Sequence, residues 1–275
     1  MEKPRVVLIK KIKMETNIVK TIFFKDDKPA LPGQFIMVWL PGIDEIPMSL
    51  SYIGELKGFA VHKKGEATEK LHELKKNEKI GIRGPYGRGF MPRGKKILFV
   101  GGGTGIAPLS PLIERFKGKK KVIIGAKTKD EILYKKRISK YADFIISTDD
   151  GSEGVKGTAY DLAFSIMSKE NSEETIVSSS LKGRNLLDFD EIIACGPELM
   201  LKKLFLFAKE KRIMFQASLE RFMKCGIGIC DSCAIDGYHV CTDGPVFFEK
   251  ELSKMEEFGN LRRGMSGAYE KVGNN

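Results

Sequence analysis

A chain of 275 residues has room for about two domains and a smaller third element. A hydrophobic share of 42% supports a packed core, and no apolar run approaches the ~18 residues that span a bilayer, which argues against a helical membrane protein. The net charge of +11 comes from lysines scattered among Asp and Glu, with no basic block interleaved with aromatics, which argues against a nucleic-acid partner. The opening "MEKPRVVLIKKIK" places charges inside its short apolar stretch and has no small-residue cleavage site. The expected location is therefore the cytoplasm, where disulfides are rare.

Residues 4 to about 92 predict short strands. "RVVLIKKIKM", "IVKTIFF" and "QFIMVWL" are rich in β-branched and aromatic residues, and Pro29, Pro32-Gly33, Pro41-Gly42 and Pro47 punctuate them. Such spacing suggests a small antiparallel barrel with one short helix around "ATEKLHELKK". The character changes at Lys95. "KKILFV" is a buried-type strand that runs into "GGGTG", and Leu109, Leu112, Ile113 and Phe116 follow at helical spacing. "KVIIGA", "DFIISTDDG" and "EIIACGP" predict further strands, and Leu201, Leu204, Phe205 and Ala208 another helix. Alternation of this kind predicts a doubly wound parallel sheet. The expected division is a barrel over 1–93, an α/β domain over 94–215, a cysteine-bearing unit over 216–250 and a charged tail over 251–275 whose end is loosely ordered.

Four of the five cysteines fall between Cys225 and Cys241. Their pattern is C-x4-C-x2-C, then C after seven more residues. Structural zinc sites usually present two C-x2-C pairs or mix Cys with His, and only one such pair occurs here. The x4–x2 spacing with a distant fourth Cys is that of a plant-type 2Fe–2S loop. Gly226 and Gly228 suit a loop that must turn its amides toward sulfur.

"VGGGTGIAPL", Val100 to Leu109, sets glycines between a strand and a helix, where a diphosphate can approach the helix N-terminus. It is not G-x-G-x-x-G, because residue 106 is Ile; a tight strand–helix turn is the plainer alternative. "ACGP", Ala194 to Pro197, and Asp149-Asp150 end strands where open α/β sheets bind ligands, although a buried thiol and a solvated turn would look the same. In the front domain "IPMSLSY", "KKGEAT" and "RGPYGRGF" are ordinary barrel loops one by one. Together they offer small residues to lie under a flat ring and a Gly-x-x-Thr turn to hold a phosphate. His62, His72 and His239 are scattered, and no recognisable motif supplies a base for a carbon acid.

In chain order, "PGQF", "IPMS", "GEAT", "GPYGRGF", "GGGTGIAPL", "TDDG", "CGP" and "CGIGICDSC…CTDGPVF" resemble the ferredoxin-NADP reductase superfamily. With the cysteine segment, the chain is similar to the electron-transfer subunits of type B dihydroorotate dehydrogenase, nearly throughout except for the tail. The resemblance implies an antiparallel FAD-binding barrel, an NAD-binding α/β domain and a small 2Fe–2S domain. It implies that Pro47, Met48 and Ser49 lie against the flavin, that Lys63, Lys64, Gly65 and Thr68 hold its ribityl and phosphate side, and that Gly84 and Pro85 help close that site. Gly101, Gly102, Gly103, Thr104 and Gly105 would face the diphosphate of NAD, with Asp149, Asp150, Cys195 and Gly196 near its ends. Cys225, Cys230, Cys233 and Cys241 would ligate the cluster.

The family usually has an arginine just before the flavin-contacting Pro or hydroxyl residue. Here Glu45 and Ile46 stand there, and Arg83 or the Lys63/Lys64 pair is expected to supply the cation. The implied function is a relay in pyrimidine biosynthesis: a flavin-containing dihydroorotate dehydrogenase catalytic subunit, in a heterotetramer of two of each, passes electrons through 2Fe–2S and FAD to NAD+. The alternatives are the small subunit of an NADH-dependent ferredoxin-NADP reductase, sulfur reductase or hydrogenase complex, and a zinc-stabilised flavin- or nucleotide-binding module.

Overall fold

A computed structural model of the chain describes residues 2–168 and 189–273. Strands β1 (Arg5–Met14), β2 (Val19–Lys25), β3 (Phe35–Leu40), β4 (Asp44–Ile53), β5 (Leu56–His62) and β6 (Lys79–Tyr86) close into a barrel in the order β1-β2-β5-β4-β3-β6. Every neighbouring pair is antiparallel. Ile9, Ile22, Phe24, Ile36, Val38, Leu50, Phe59 and Ile82 fill its interior. Helix α1 (Glu66–Glu73) adds the fully buried Leu71. Closure leaves no free sheet edge, so a half-polar strand such as β1 is tolerated.

The α/β domain begins with β7 (Lys96–Gly102) and a 3-10 turn at Gly103–Gly105. It continues through α2 (Ile106–Arg115), β8 (Lys119–Ala126), α3 (Lys135–Ile138), β9 (Asp143–Thr148), β10 (Val155–Lys156), α4 (Ala159–Met167), β11 (Glu191–Cys195), α5 (Glu198–Lys211) and β12 (Met214–Ser218). Two short strands, β13 (Ala234–Ile235) and β14 (Tyr238–His239), form a hairpin inside the cysteine segment. Strand β15 (Val246–Phe248) then returns to the large sheet, whose order is β10-β9-β8-β7-β11-β12-β15. All its neighbours are parallel except β12 and β15. The β7, β8 and β11 runs are apolar almost throughout because helices cover both faces. Strand β12 straddles residue 215, so the cysteine segment leaves the sheet from β12 and re-enters it at β15.

Buried polar groups tie the barrel to the sheet. Glu191, fully buried on β11, accepts from the amides of Arg93 (2.8 Å) and Gly94 (2.9 Å) and from Gln216 Nε2 (2.6 Å). Gln216 exchanges two further bonds with the backbone of Met91, at 3.0 and 2.6 Å. On the other side Tyr134 Oη meets Thr21 Oγ1 at 2.9 Å and Ser51 Oγ at 3.1 Å. Arg137 lies over the Tyr52 ring at 3.6 Å and bonds Glu114 at 2.6 Å.

The first part of the tail is docked on the core. Helix α6 (Glu249–Leu252) contributes Leu252 to the core, and Met255 and Phe258 are buried with it. Phe258 packs on Phe205 of α5, ring centroids 6.0 Å apart. Strands β16 (Leu261–Arg263) and β17 (Tyr269–Lys271) then pair as a hairpin. Three apolar residues at every third position, Leu252, Met255 and Phe258, provide the docking energy that the surrounding charges conceal in the sequence. The final Asn274 and Asn275, part of the stretch expected to be loose, lie outside the described residues.

Candidate functional site

A cleft of about 270 Å³ opens where the barrel, the α/β domain and the cysteine segment meet. The barrel side supplies Phe35 from β3, Pro47, Met48 and Ser49 from β4, Ala60 and His62 from β5, and Lys64 and Thr68 at the start of α1. Thr104 and Pro108 come from the glycine turn and α2. Leu219, Glu220, Arg221 and Met223 follow β12, and Pro245 precedes β15. The site therefore lies beyond the C-terminal ends of β7 and β12, where open α/β sheets bind ligands.

Pro47 and Met48 pair with Met37 and Ile36 of β3, which fixes the strand that floors the cleft. Lys64 and Gly65 amides both donate to Thr68 Oγ1 at 2.9 Å, and that hydroxyl donates to Gly65 O at 2.7 Å. The turn is thus held by its own threonine. Lys63 stands aside with its Nζ 3.9 Å from Glu69. Arg83 does not line the cleft: it is bonded to Glu45 at 2.7 and 2.5 Å. The cations at the cleft are Lys64 and Arg221, the latter forked onto Glu198 and donating to Leu261 O. Gly84 and Pro85 also lie outside the lining; Gly84 O accepts from Arg5 Nη2 at 2.9 Å.

The glycine turn is shaped by close approach. A Cβ on Gly105 would lie 2.1 Å from Cys195 O. Gly103 has φ +55° and faces open space, the arrangement of a bare backbone cradle. Gly101 pairs with Cys195 across β7 and β11, and Gly102 packs against Pro197 and Met200. Cys195 is 2% exposed, and burial pushes its thiol up, so it stays protonated. Gly196 follows it at φ +151°. Asp149 and Asp150 end β9, two strands from β7 and so about 10 Å away across the same edge. Two hydrogen bonds from Ser152, one from its hydroxyl at 2.6 Å and one from its amide at 2.9 Å, hold the Asp150 carboxyl below its ordinary value.

The cysteine segment runs along the same wall. Gly226 (φ +70°) and Gly228 (φ +74°) turn the chain so that the amides of Ile227 and Ile229 point at Cys225 Sγ, each at 3.4 Å. The amide of Gly228 points at Cys241 Sγ at 3.2 Å. The seven residues after Cys233 fold as the β13–β14 hairpin, whose Asp236-Gly237 turn has positive φ at both positions. That fold-back returns Cys241 to Cys233, and a hydrogen bond from the Cys241 thiol holds Cys233 down to about 6. Cys230 similarly meets Cys225; burial pushes its thiol up, and hydrogen bonding with Ser232 and Cys225 outweighs this and holds it at about 7. Cys241, which shares its proton with Cys233, is pushed up in turn, so amides aimed at sulfur and the lowered thiols of Cys230 and Cys233 are what this segment offers a cluster. The sulfurs form two pairs, Cys225 with Cys230 and Cys233 with Cys241. Among the described residues, no three His, Cys, Asp or Glu side chains gather closely.

Several lining residues carry no local sequence signal. Glu220 looks into the cleft, and its surroundings, relieved in part by Lys64, raise its pKa. His62 lines the cleft with its pKa lowered by burial and by Lys64, which leaves it neutral. His72 bonds Val61 O at 2.9 Å and His239 bonds Asp231 at 2.5 Å. Leu219, Arg221, Met223 and Pro245 reach the cleft only because they flank the cysteine segment. Leu219, Arg221 and Met223 fall in "LERFM", one residue short of Cys225, and Pro245 in the "CTDGPVF" quoted above.

The model for the iron-sulfur cluster binding domain of dihydroorotate dehydrogenase B matches residues 220–253. A protein of Methanocaldococcus jannaschii described as a probable dihydroorotate dehydrogenase B (NAD+) electron transfer subunit is 43% identical over 97% of this chain and 98% of its own length. A protein of the same description from Pyrococcus furiosus is 42% identical over 90% of this chain and 92% of its own. Among solved structures, an NADH-dependent reduced ferredoxin-NADP oxidoreductase superposes with a TM-score of 0.74 at 26% identity, covering 91% of both chains. A ferredoxin NADP+ reductase from Neisseria gonorrhoeae, with bound FAD and NADP, shares the fold at TM-score 0.59 and 17% identity, over 76% of this chain and 92% of that one. A barrel joined to a parallel sheet, a cleft between them flanked by the four-cysteine segment, and full-length likeness to these relatives together show that the chain belongs to the family of dihydroorotate dehydrogenase B electron transfer subunits.

Proposed function

We propose that this chain carries electrons from a dihydroorotate dehydrogenase catalytic subunit to NAD+, holding FAD in the three-walled cleft and a 2Fe–2S cluster on Cys225, Cys230, Cys233 and Cys241. When bound, the cluster supplies one-electron transfer, the flavin exchanges one or two electrons, and nicotinamide accepts a hydride. The observation that carries the reading is the shared wall. Met223, two residues before Cys225, and Pro245, four after Cys241, both line the cleft. The two sites are therefore adjacent by construction.

Pro47, Met48 and Ser49 give a ring a flat, small-residue bed. Lys64 and Arg221 offer positive charge to the diphosphate, the service that Ile46 leaves unfilled. Gly103 to Gly105 present backbone to the nicotinamide's diphosphate at the foot of α2, with Asp149 and Asp150 farther along the edge. Neutral His62 adds no charge to the cleft, and Cys195 stays buried and protonated beneath the glycine turn. Dihydroorotate oxidation needs a base beside a flavin to take a proton from carbon, and that task falls to the catalytic subunit. A cytoplasmic complex of two copies of each subunit completes the proposal.

The test uses the isolated, flavin-loaded chain. It reduces artificial acceptors with NADH, does not oxidise dihydroorotate alone, and gains that oxidation when the catalytic subunit is added. Cys225→Ser abolishes the paramagnetic signal of the reduced cluster, whereas Cys195→Ser leaves it. Stoichiometric zinc without iron in anaerobically purified protein overturns the cluster assignment. Likeness to the NADH-dependent ferredoxin-NADP oxidoreductase favours a second reading, and a partner that confers ferredoxin reduction instead would establish it.

A further inference from the structure

Arg83 is 4% exposed on β6, facing the cysteine segment. Its Nε and Nη2 fork onto Glu45, and Nη2 also donates to the carbonyl of Cys225 at 3.0 Å. Nη1 is buried and has no hydrogen-bond partner. The guanidinium carbon lies 5.8 Å from the Tyr86 ring centre. Glu45 is two residues from Pro47, which floors the cleft. One side chain thus joins the strand under the flavin site to the backbone of the first cysteine. The fit leaves no slack: a Cβ on Gly226 would lie 2.9 Å from Met37 Cγ.

A cation and an anion held this close to a redox centre act on its energy as well as its position. Reduction adds one negative charge to a cluster. Arg83, nearer to Cys225 through its direct bond, stabilises that added charge, and Glu45 behind it offsets part of the effect. Arg83 is buried and Glu45 largely so, which leaves the balance between them only partly screened. Net charge and hydrogen bonding beside the ligands are among the factors that set iron–sulfur potentials.

We propose that the Arg83–Glu45 pair positions the Cys225 backbone and sets the reduction potential of the cluster, Arg83 raising it and Glu45 holding it down. This rests on the assignment of the four cysteines as cluster ligands.

The experiment measures iron content and the cluster midpoint potential, by paramagnetic resonance under redox titration, in the full chain purified with its catalytic subunit. Arg83→Gln lowers the potential and Glu45→Gln raises it. Each change alters the equilibrium constant for one-electron reduction roughly tenfold, about 59 mV. The double variant returns toward the parent, and Arg83→Lys falls between the parent and Arg83→Gln. Shifts of the same sign, or no shift with full iron content, overturn the proposal. If Arg83→Gln loses iron, the sign of the Glu45→Gln shift decides. Loss of iron from both variants overturns it in favour of a mechanical brace. Absence of iron from the parent is a separate outcome, which refutes the ligand assignment itself.

Discussion

Glu220 shows how a single side chain can be set by its surroundings. Its surroundings raise its pKa: the cleft walls take water from the carboxyl although the residue as a whole is exposed, Glu198 adds repulsion, and Lys64 opposes both. The folded state therefore holds its proton more tightly than the unfolded chain does. The stability that this gives is complete below the ordinary glutamate pKa and is lost as pH rises through the raised value. Glu220→Gln, neutral at every pH, should gain thermal stability over the parent as pH climbs from about 4 to about 7. Melting curves across that range check it, and a constant difference between the two proteins refutes it. Nothing in "SLERF" announced this residue. Its environment comes from chain segments far apart, whereas the cysteines were legible because a cluster imposes its spacing on neighbours in sequence.

Among elements, the strand–turn–helix at Gly101 to Arg115 was readable for a related reason: a turn that admits no side chain leaves glycines behind. The sequence could not say which glycine does what. Gly105 is pressed on Cys195 O, whereas Gly103 needs its positive φ but has room around it. Gly105→Ala should cause severe destabilisation, of the exceptional class above about 4 kcal/mol, through displacement of β7 from β11. Gly103→Ala should cost only about 1–2 kcal/mol, the left-handed penalty, yet raise the KM for NADH by narrowing the cradle. Denaturant titration and steady-state kinetics on both variants separate the two roles. Equal stability losses would show that the turn is a packing device alone. The docking of the tail was not legible for the opposite reason: three apolar residues dispersed among charges carry the docking of α6 and of the segment up to Phe258, and composition averages them away.

At the scale of the molecule, the barrel and the sheet meet through a few specific contacts. Arg137 is held between Tyr52 at 3.6 Å and Tyr134 at 4.9 Å and is tied to Glu114. Arg137→Ala should cost about 1–3 kcal/mol through lost cation–π and ionic contacts and lost packing. It should also slow NADH-dependent flavin reduction while leaving the cluster potential where it was. Stopped-flow reduction beside redox titration tests this, and a shifted potential would contradict it. No sequence pattern marked this seam, because its partners lie 83 and 85 residues apart, as in the bonds of Tyr134 to Ser51 and Arg137 to Tyr52. The cleft has a consequence for supply as well as for chemistry. Its walls come from residues 35–68, 104–108, 219–223 and 245, so it exists only when the entire chain has folded. A molecule that occupies it stabilises all three units at once, by about 2.7 kcal/mol when present at 100 times its dissociation constant. In a cell short of riboflavin, the unoccupied chain would open more often and reach proteases sooner, so its abundance would follow vitamin status even at constant synthesis.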